Sequence, residues 1–241
     1  MVLHSSSGRK HNSMIIITGA SKGIGHYLMT EYINKGEEVI GFFNNTIVES
    51  EGKDGEFVRM DICDHVALAG WVKQNAERLS RITIVNCAAI NYNSFAHKSD
   101  IEKWAEVINV NVIGTFKVIL AFLPLMRDQS YGRIINFGSV VSELPSPGIS
   151  AYAASKSALT GLVKSIAVEN AGKGITINNI NLGYSELGMI SQVPQEYLNA
   201  ILKKIPIGKL CAQEDIFNTV EYIRKSEYLT GTNINLNGGI I

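Results

Sequence analysis

The segment TGASKGIG, residues 18–25, decides the fold because it joins a strand pattern to a helical pattern. The run before it, Met14–Thr18 (MIIIT), is apolar up to its last residue and is typical of a buried strand. Gly19 allows a tight turn, Gly23 lets backbone approach a phosphate, and Gly25 lets the helix pack closely on the strand. The free N–H groups of the helix N-terminus face the same point. This context predicts a nucleotide-phosphate loop, and a purely structural turn is the alternative.

Strand and helix patterns alternate along the rest of the chain. The predicted strands cover residues 14–18, 38–43, 56–60, 82–86, 133–137, 175–182 and 233–236, and predicted helices begin near residues 23, 64, 100, 151 and 213. Strands that are apolar on both faces and alternate with helices are typical of a parallel sheet covered on both sides. No repeat or linker divides the chain. We therefore predict an α/β protein with a single-domain Rossmann fold, in which helices flank a doubly wound parallel sheet of about seven strands.

The composition argues against several classes of protein. The chain of 241 residues has 22 Lys and Arg against 22 Asp and Glu, whereas a nucleic-acid-binding protein normally has a basic excess. The three cysteines lie far apart and no CxxC or HExxH motif occurs, so we expect neither disulfides nor a metal site. No apolar run reaches the roughly 18 residues of a membrane-spanning helix, so we expect no membrane contact.

The N-terminal 13 residues are polar and contain no apolar segment of the kind found in a secretory signal. We predict that residues 1–13 are a flexible or artificial leader and that residues 14–241 form the nucleotide-binding domain. The expected location is the cytoplasm.

The segment YAASK, residues 152–156, carries the most specific catalytic signal. Tyr152 and Lys156 are four residues apart on a predicted helix and therefore share one face. A nearby ammonium favours the phenolate, which lowers the tyrosine pKa from about 10 and makes this side chain a usable acid or base. The same spacing is common on solvated helix faces. Ser139, just after the apolar run 133–137, adds a hydroxyl at the strand end where open α/β sheets bind ligands, which favours the catalytic interpretation.

The TGAS sequence and the GxxxGxG spacing of the loop resemble the short-chain dehydrogenase/reductase family, and the resemblance covers nearly the whole chain from Met14. The sequences GSVV, residues 138–141, and LTGTNINLNGG, residues 229–239, are similar to those of the 3-oxoacyl-acyl-carrier-protein reductases in that family. The resemblance implies reversible hydride transfer between a nicotinamide and a carbonyl or alcohol. It also implies a compact single domain.

The resemblance further implies a role for each catalytic residue. Ser139 is expected to bind the substrate oxygen, Tyr152 to transfer the proton, and Lys156 to bind the nicotinamide ribose. Asn111 is expected to support a proton-relay water, and Asn109 is the competing choice. A local kink in the helix is the alternative explanation for an asparagine there.

Two further segments match positions that bind the cofactor in the family. Asp61 matches the acidic residue that holds the adenine ring, although a neighbour of a helix N-cap is the alternative. The segment NCAA, residues 86–89, matches the family's NNAG with Cys87 in place of the second Asn. The residues that we expect to bind the cofactor are Gly19, Ser21, Lys22, Gly23, Ile24, Gly25, Asn44, Asp61, Ile62, Asn86, Ala88, Tyr152, Lys156, Gly183 and Ser185.

The residues at the end of the second predicted strand bear on whether the cofactor is NAD(H) or NADP(H). NAD enzymes place an acid there to bind the ribose 2′-hydroxyl. This chain has Phe43 followed by Asn44 and Asn45, and no acid occurs before Glu49. Lys22 adds a positive charge, although a loop lysine often points to solvent. We therefore favour NADP(H), with the asparagine as a donor to a 2′-phosphate, and keep NAD(H) possible because no arginine follows the strand.

The segment after the sixth predicted strand departs from the family. Relatives usually have PG followed by a Thr that binds the nicotinamide carboxamide, whereas this chain has Leu182 before Gly183 and Leu187 at the Thr position. Ser185 is a possible substitute donor. We expect residues 183–206 to form a mobile substrate lid.

The sequence therefore predicts an NADP(H)-dependent oxidoreductase that interconverts a carbonyl and a secondary alcohol and resembles the 3-oxoacyl-acyl-carrier-protein reductases. The alternatives are a sugar or polyol reductase of a biosynthetic pathway and a non-catalytic NADP-binding sensor or scaffold. The expected substrate is a small molecule. The family also implies a homotetramer or homodimer, assembled through the long fourth and fifth helices and the C-terminal strand.

Overall fold

The computed structural model describes residues 13–46, 55–144, 146–188 and 195–240, so that most of the predicted leader lies outside the described residues. The strands are β1 (Met14–Thr18), β2 (Glu38–Phe43), β3 (Glu56–Arg59), β4 (Thr83–Asn86), β5 (Gly132–Phe137), β6 (Ile175–Leu182) and β7 (Asn233–Leu236). The helices are α1 (Gly23–Asn34), α2 (His65–Asn75), α3 (Ile101–Ile108), α4 (Thr115–Asp128), α5 (Ser150–Asn170), α6 (Gln195–Leu202) and α7 (Gln213–Lys225).

The seven strands form one parallel sheet in the order β3-β2-β1-β4-β5-β6-β7. The chain starts at β1, builds outward to β3, and returns to the other side of β1 with β4. This reversal of strand order leaves a crevice at the carboxyl ends of β1 and β4, where open α/β sheets bind ligands. The predicted single-domain Rossmann fold with about seven parallel strands is confirmed.

The sheet is covered on both faces, as the doubly wound prediction requires. Helices α2, α4 and α5 pack on one face, where side chains such as Leu68, Phe122 and Val163 are buried against the strands. Helices α1 and α7 pack on the other face through side chains such as Leu28 and Val220. Every residue of β1, β4, β5 and β6 is buried, as expected for central strands of a parallel sheet that helices cover on both faces.

The long helix predicted from residue 100 is interrupted. Asp100 caps α3 with its carboxylate, and α4 ends at Asp128, but residues Asn109–Gly114 between them are wound as a π-helix. Gly114 allows the close packing at this point, because a Cβ there would lie 2.9 Å from Cδ1 of Ile62. Such π-turns inside α-helices often lie at functional sites.

The predicted lid is partly regular. Residues 183–188 form an irregular segment, residues 189–194 lie outside the described residues, and α6 occupies 195–202. Backbone hydrogen bonds tie the start of the segment to the domain, since Gly183 N–H donates to Leu236 O and Cys211 N–H donates to Tyr184 O.

One helical stretch, Ile101–Asp128, is long and apolar enough to cross a membrane by length and composition alone. Its second half buries Val118, Ile119 and Phe122 against the sheet. Core helices of globular domains pass the same test, so this feature is weak evidence for a membrane span. The expectation of no membrane contact stays a prediction.

Candidate active site

The phosphate loop lies at the crevice between β1 and β4. Gly19 and Gly23 have φ angles of +67° and +57°, which favour glycine. A Cβ on Gly19 would lie 2.8 Å from Cα of Ala88, so the backbone of the loop lies directly against the segment after β4 at this point. Gly25 must also be a glycine, because a Cβ there would overlap the carbonyl oxygen of Gly19. The tight turn at Gly19 and the close packing at Gly25 agree with the predicted geometry, and α1 begins at Gly23, whereas phosphate binding stays a prediction.

The rest of the loop connects β1 to the start of α1 and carries one exposed cation. Ala20 N–H donates to Phe42 O at 3.0 Å, which fixes the loop against the end of β2. Lys22 precedes α1 with extended backbone, makes no side-chain cap, and exposes its side chain. Ile24 packs against the core beneath α1, whereas Ser21 stays partly exposed. Because the N-cap residue Lys22 makes no side-chain hydrogen bond to the helix, the N-terminal N–H groups of α1 can bind an anion.

The predicted adenine position follows β3. Asp61 is exposed, and its carboxylate accepts a hydrogen bond from Cys63 N–H at 2.8 Å. Ile62 is buried and lies against Gly114 of the π-helix. Asn44, directly after β2, is exposed at the same edge of the sheet. These residues surround the crevice from the β2–β3 side, but their contacts with a cofactor stay a prediction.

A row of hydrogen-bonded amides crosses the sheet, and the sequence patterns did not predict it. Asn86 donates to Asn136 at 2.8 Å, Asn136 to Asn179 at 3.2 Å, and Asn179 to Asn233 at 2.8 Å. The last amide donates to Thr160 of α5 at 3.1 Å. The strand registers place the four asparagines side by side. The row connects the segment beside the phosphate loop to the catalytic helix, and no single segment of sequence reveals it.

Three side chains meet at the carboxyl end of β5. Ser139 follows the strand and begins a short 3-10 turn, while Tyr152 and Lys156 lie one turn apart at the start of α5. The Nζ atom of Lys156 lies 5.4 Å from the centroid of the Tyr152 ring and donates to Phe137 O at 2.7 Å. Hydrogen bonding between Tyr152 and Ser139 lowers the pKa of the phenol, so the two hydroxyls are neighbours. The structure thus brings the three predicted catalytic residues together.

The protonation of this group differs from the sequence-based expectation. The nearby ammonium was expected to lower the pKa of Tyr152, but burial raises it to about 12, and only the hydrogen bond with Ser139 opposes the rise. Burial lowers the pKa of Lys156 to about 8, and the neighbouring Cys87 acts in the opposite direction. Desolvation outweighs the mutual effect of the pair, because both groups lie in the interior. Without cofactor, the phenol is therefore fully protonated at neutral pH.

Asn111 lies in the π-helix and bonds to the residue that precedes the catalytic lysine. Its amide donates to Ile90 O at 2.9 Å and to Ser155 Oγ at 3.0 Å, while its oxygen accepts from Ile90 N–H at 2.8 Å. Ser155 is the residue before Lys156, so Asn111 connects the segment after β4 to the catalytic helix. Asn109 instead directs its amide to Cys63 Sγ at 3.6 Å, away from α5. The geometry thus favours Asn111 over Asn109 for the role beside the lysine.

The segment after β6 comes close to the start of α1. Gly188 lies 3.6 Å from the position of a Cβ on Gly23, so this segment reaches the phosphate loop. Ser185 is buried, and its hydroxyl donates to Leu187 O at 2.9 Å. The hydroxyl proton is therefore used within the segment, and only the oxygen lone pairs remain for a ligand. Leu187 packs against the core.

The glycine loop, the Ser139-Tyr152-Lys156 group and Asn111 are the candidate site, and comparison with known proteins identifies the family of the chain. A family profile described as short chain dehydrogenase matches residues 13–198. The chain belongs to the short-chain dehydrogenase family. It is therefore an oxidoreductase of the carbonyl/alcohol type, and the arrangement of its hydroxyl, phenol and ammonium groups fits that chemistry.

This short-chain dehydrogenase is similar over most of its length to proteins named 3-oxoacyl-(acyl-carrier-protein) reductase FabG. The protein of Escherichia coli (strain K12) is 30% identical over 93% of this chain and 96% of its own length. The protein of Haemophilus influenzae is 30% identical over the same shares of the two chains. The protein of Thermotoga maritima is 30% identical over 97% of this chain and 99% of its own.

Proposed function

We propose that this short-chain dehydrogenase uses NADP(H) to interconvert a carbonyl and a secondary alcohol on a small molecule, as a 3-oxoacyl-(acyl-carrier-protein) reductase does. The observation that carries the proposal is the meeting of Ser139, Tyr152 and Lys156 at the carboxyl end of β5, next to the glycine loop. The relatives named above support the carbonyl substrate class.

The three side chains divide the work of reduction. A bound nicotinamide supplies the hydride to the carbonyl carbon. Ser139 donates a hydrogen bond to the carbonyl oxygen, and Tyr152 gives that oxygen its proton, so that the carbonyl becomes an alcohol and the phenol a phenolate. Because the pKa of Tyr152 is about 12 before the cofactor binds, the proton is available throughout the neutral range. The phenolate is reprotonated from solvent, and the cationic Lys156 stabilises it in the meantime.

The crevice offers a binding residue for each part of the dinucleotide. The loop residues Gly19, Ser21, Gly23, Ile24 and Gly25 would present backbone N–H groups to the pyrophosphate. The adenosine would lie between the segments that carry Asn44, Asp61, Ile62, Asn86 and Ala88. The nicotinamide end would lie on Tyr152, Lys156, Gly183 and Ser185. Asn111 would position Ile90 and α5 around it.

The preference for NADP(H) over NAD(H) rests on charge at the end of β2. Residues Phe43, Asn44 and Asn45 include no carboxylate to bind the ribose 2′-hydroxyl. Lys22 exposes an ammonium at the start of α1. A 2′-phosphate therefore gains an attraction there and meets no repulsion from this segment.

We also propose that the protein is a homotetramer or homodimer in the cytoplasm. The outer face of the π-helix and α4 exposes Ile113, Phe116 and Leu120, and α5 exposes Val168. An apolar surface of this kind is typical of a contact between subunits. Analytical ultracentrifugation is expected to give a mass of two or four chains, and a mass of one chain would contradict the proposal.

The activity is tested by following NADPH oxidation with a small 3-oxoacyl thioester and with a panel of simple ketones and keto sugars. Replacing Tyr152 by Phe is expected to lower kcat about 10³-fold, because the proton donor is lost. Binding of NADPH is expected to change less than about twofold, since the ring remains in place. Tyr228→Phe, at a fully exposed tyrosine, is the matched control and is expected to leave both quantities unchanged.

The result that would contradict the proposal is full activity of Tyr152→Phe. Absence of turnover on every carbonyl, with NADPH still bound to the wild-type protein, would instead favour a non-catalytic sensor. Turnover of keto sugars but not of the thioester would favour the sugar or polyol reductase.

A further inference from the structure

The edge of the crevice formed by β2 and β3 carries a cation that has no role in the site described so far. The register of the two parallel strands pairs Phe43 with Arg59, each the last residue of its strand. Paired residues of neighbouring strands direct their side chains to the same face of the sheet. Phe43 is the strand-end position at which an NAD enzyme carries its ribose-binding acid. Arg59 therefore stands beside the position that distinguishes the two dinucleotides.

The packing two residues earlier shows which face this is. At Gly41, paired with Phe57, a Cβ would lie 2.6 Å from Cβ of Ala20 and 3.2 Å from the ring of Phe57. The phosphate loop thus packs on this face of β2 and β3. Side chains alternate along a strand, so Arg59 lies on the same face, one step nearer the carboxyl ends of the strands. The phosphate loop that packs on this face carries Lys22, two residues after Ala20.

The guanidinium of Arg59 is also uncommitted within the described part of the chain. Arg59 is exposed and takes part in none of the ion pairs found there. Glu56 of the same strand points to the opposite face, where it pairs with Arg78. The nearest described carboxylate in sequence, that of Asp61, already accepts the hydrogen bond from Cys63 N–H.

We propose that Arg59 is a specificity-determining residue for the dinucleotide, binding a 2′-phosphate from β3 while Lys22 binds it from the start of α1. The inference rests on the proposed function and deepens its cofactor preference. A guanidinium donates two parallel hydrogen bonds to a phosphate, whereas an ammonium acts as a point charge. The arginine absent from the end of β2 is thus replaced by one from the neighbouring strand.

The test measures the dissociation constants of NADPH and NADH for the wild-type chain and for Arg59→Met, by isothermal titration calorimetry. Loss of the charged hydrogen bonds is expected to weaken NADPH binding about tenfold and to change NADH binding less than about twofold. Arg59→Lys is expected to restore part of the preference. Lys73→Met, at an exposed lysine of α2, removes one positive charge elsewhere and is expected to change neither constant.

Two smaller probes locate the effect. Adenosine 2′,5′-bisphosphate is expected to bind more weakly to Arg59→Met, whereas 5′-AMP, which lacks the 2′-phosphate, is expected to bind equally to both proteins. The difference should shrink at high salt, because the site is exposed and the charges are screened.

Several results would overturn the inference. Equal weakening of NADPH and NADH would give Arg59 a structural role only, and unchanged binding of both would remove it from the site. A wild-type protein that binds NADH as tightly as NADPH would also refute it, while leaving the carbonyl chemistry intact. Failure of the wild-type protein to bind either dinucleotide would refute the proposed function as well.

Discussion

The phosphate loop consists of consecutive residues 18–25 and leaves no room for a Cβ on Gly19 or Gly25, whereas the catalytic pocket, formed by Ser139, Tyr152, Lys156 and Asn111, takes side chains from three separate segments of the chain. In the loop, Gly19 is required because no Cβ fits beside Ala88. In the pocket, burial raises the pKa of Tyr152 and lowers the pKa of Lys156, so that it favours the neutral form of both side chains. We therefore expect the loop to be sensitive to added volume and the pocket to be sensitive to pH.

The largest effect is expected from a methyl group in the loop. Gly19→Ala adds a Cβ at 2.8 Å from Cα of Ala88 and places alanine at a φ of +67°. Left-handed strain and the forced displacement of backbone together are expected to cost about 2–5 kcal/mol of unfolding free energy. Binding of NADPH is expected to weaken about 100-fold or more, because the N–H groups move with the loop. Chemical denaturation and calorimetry measure the two quantities, and near-normal NADPH affinity would show that the loop tolerates volume.

A smaller effect is expected from pH, and only in the pocket. The pKa of Lys156 is lowered to about 8, so its cationic form is present below that pH and is lost above it. The pH dependence of kcat/KM for NADPH reports the ionisation of the free enzyme. We therefore expect kcat/KM to fall as the pH rises through about 8, by up to about tenfold per pH unit, because the cationic form of Lys156 is lost. Lys156→Met is expected to be less active and to lose this step.

The pH profile also tests the separation between the two regions. The same measurement on Lys22→Met, which removes a cation near the loop, is expected to retain the step near pH 8. A wild-type profile that stays flat from pH 7 to 9, or a step that persists in Lys156→Met, would show that another group is responsible.

The smallest effect is expected at a glycine with the same backbone conformation and open surroundings. Gly36 has a φ of +69°, and no atom lies within 4 Å of the position of its Cβ. Gly36→Ala is expected to cost about 1 kcal/mol of unfolding free energy from left-handed strain alone, and to leave NADPH binding unchanged. The difference in unfolding free energy between Gly36→Ala and Gly19→Ala measures the cost of the close contact between the added Cβ and Ala88. Equal losses in the two variants would mean that strain, not contact, makes the loop glycine necessary.

The sequence predicted the features that depend on neighbours along the chain. The strand MIIIT and the loop after it were identifiable because turn chemistry and hydrophobic patterns are local. Tyr152 and Lys156 were identifiable for a similar reason, since a spacing of four residues places two side chains on one face of any helix. The approximate number of strands and their parallel arrangement followed from the same alternation of patterns, whereas their order in the sheet came from the structure.

Other features depend on which segments become neighbours in space. The pKa of Tyr152 was expected to fall because of the adjacent lysine, but it rises because the packed domain removes water from both groups. The amide row from Asn86 to Asn233 joins four strands, and Arg59 stands beside Phe43 only through the register of β2 and β3. Composition and spacing contain no information on register or desolvation. The sequence alone therefore determined the parts of the site, and the tertiary structure decided their charge states and their neighbours.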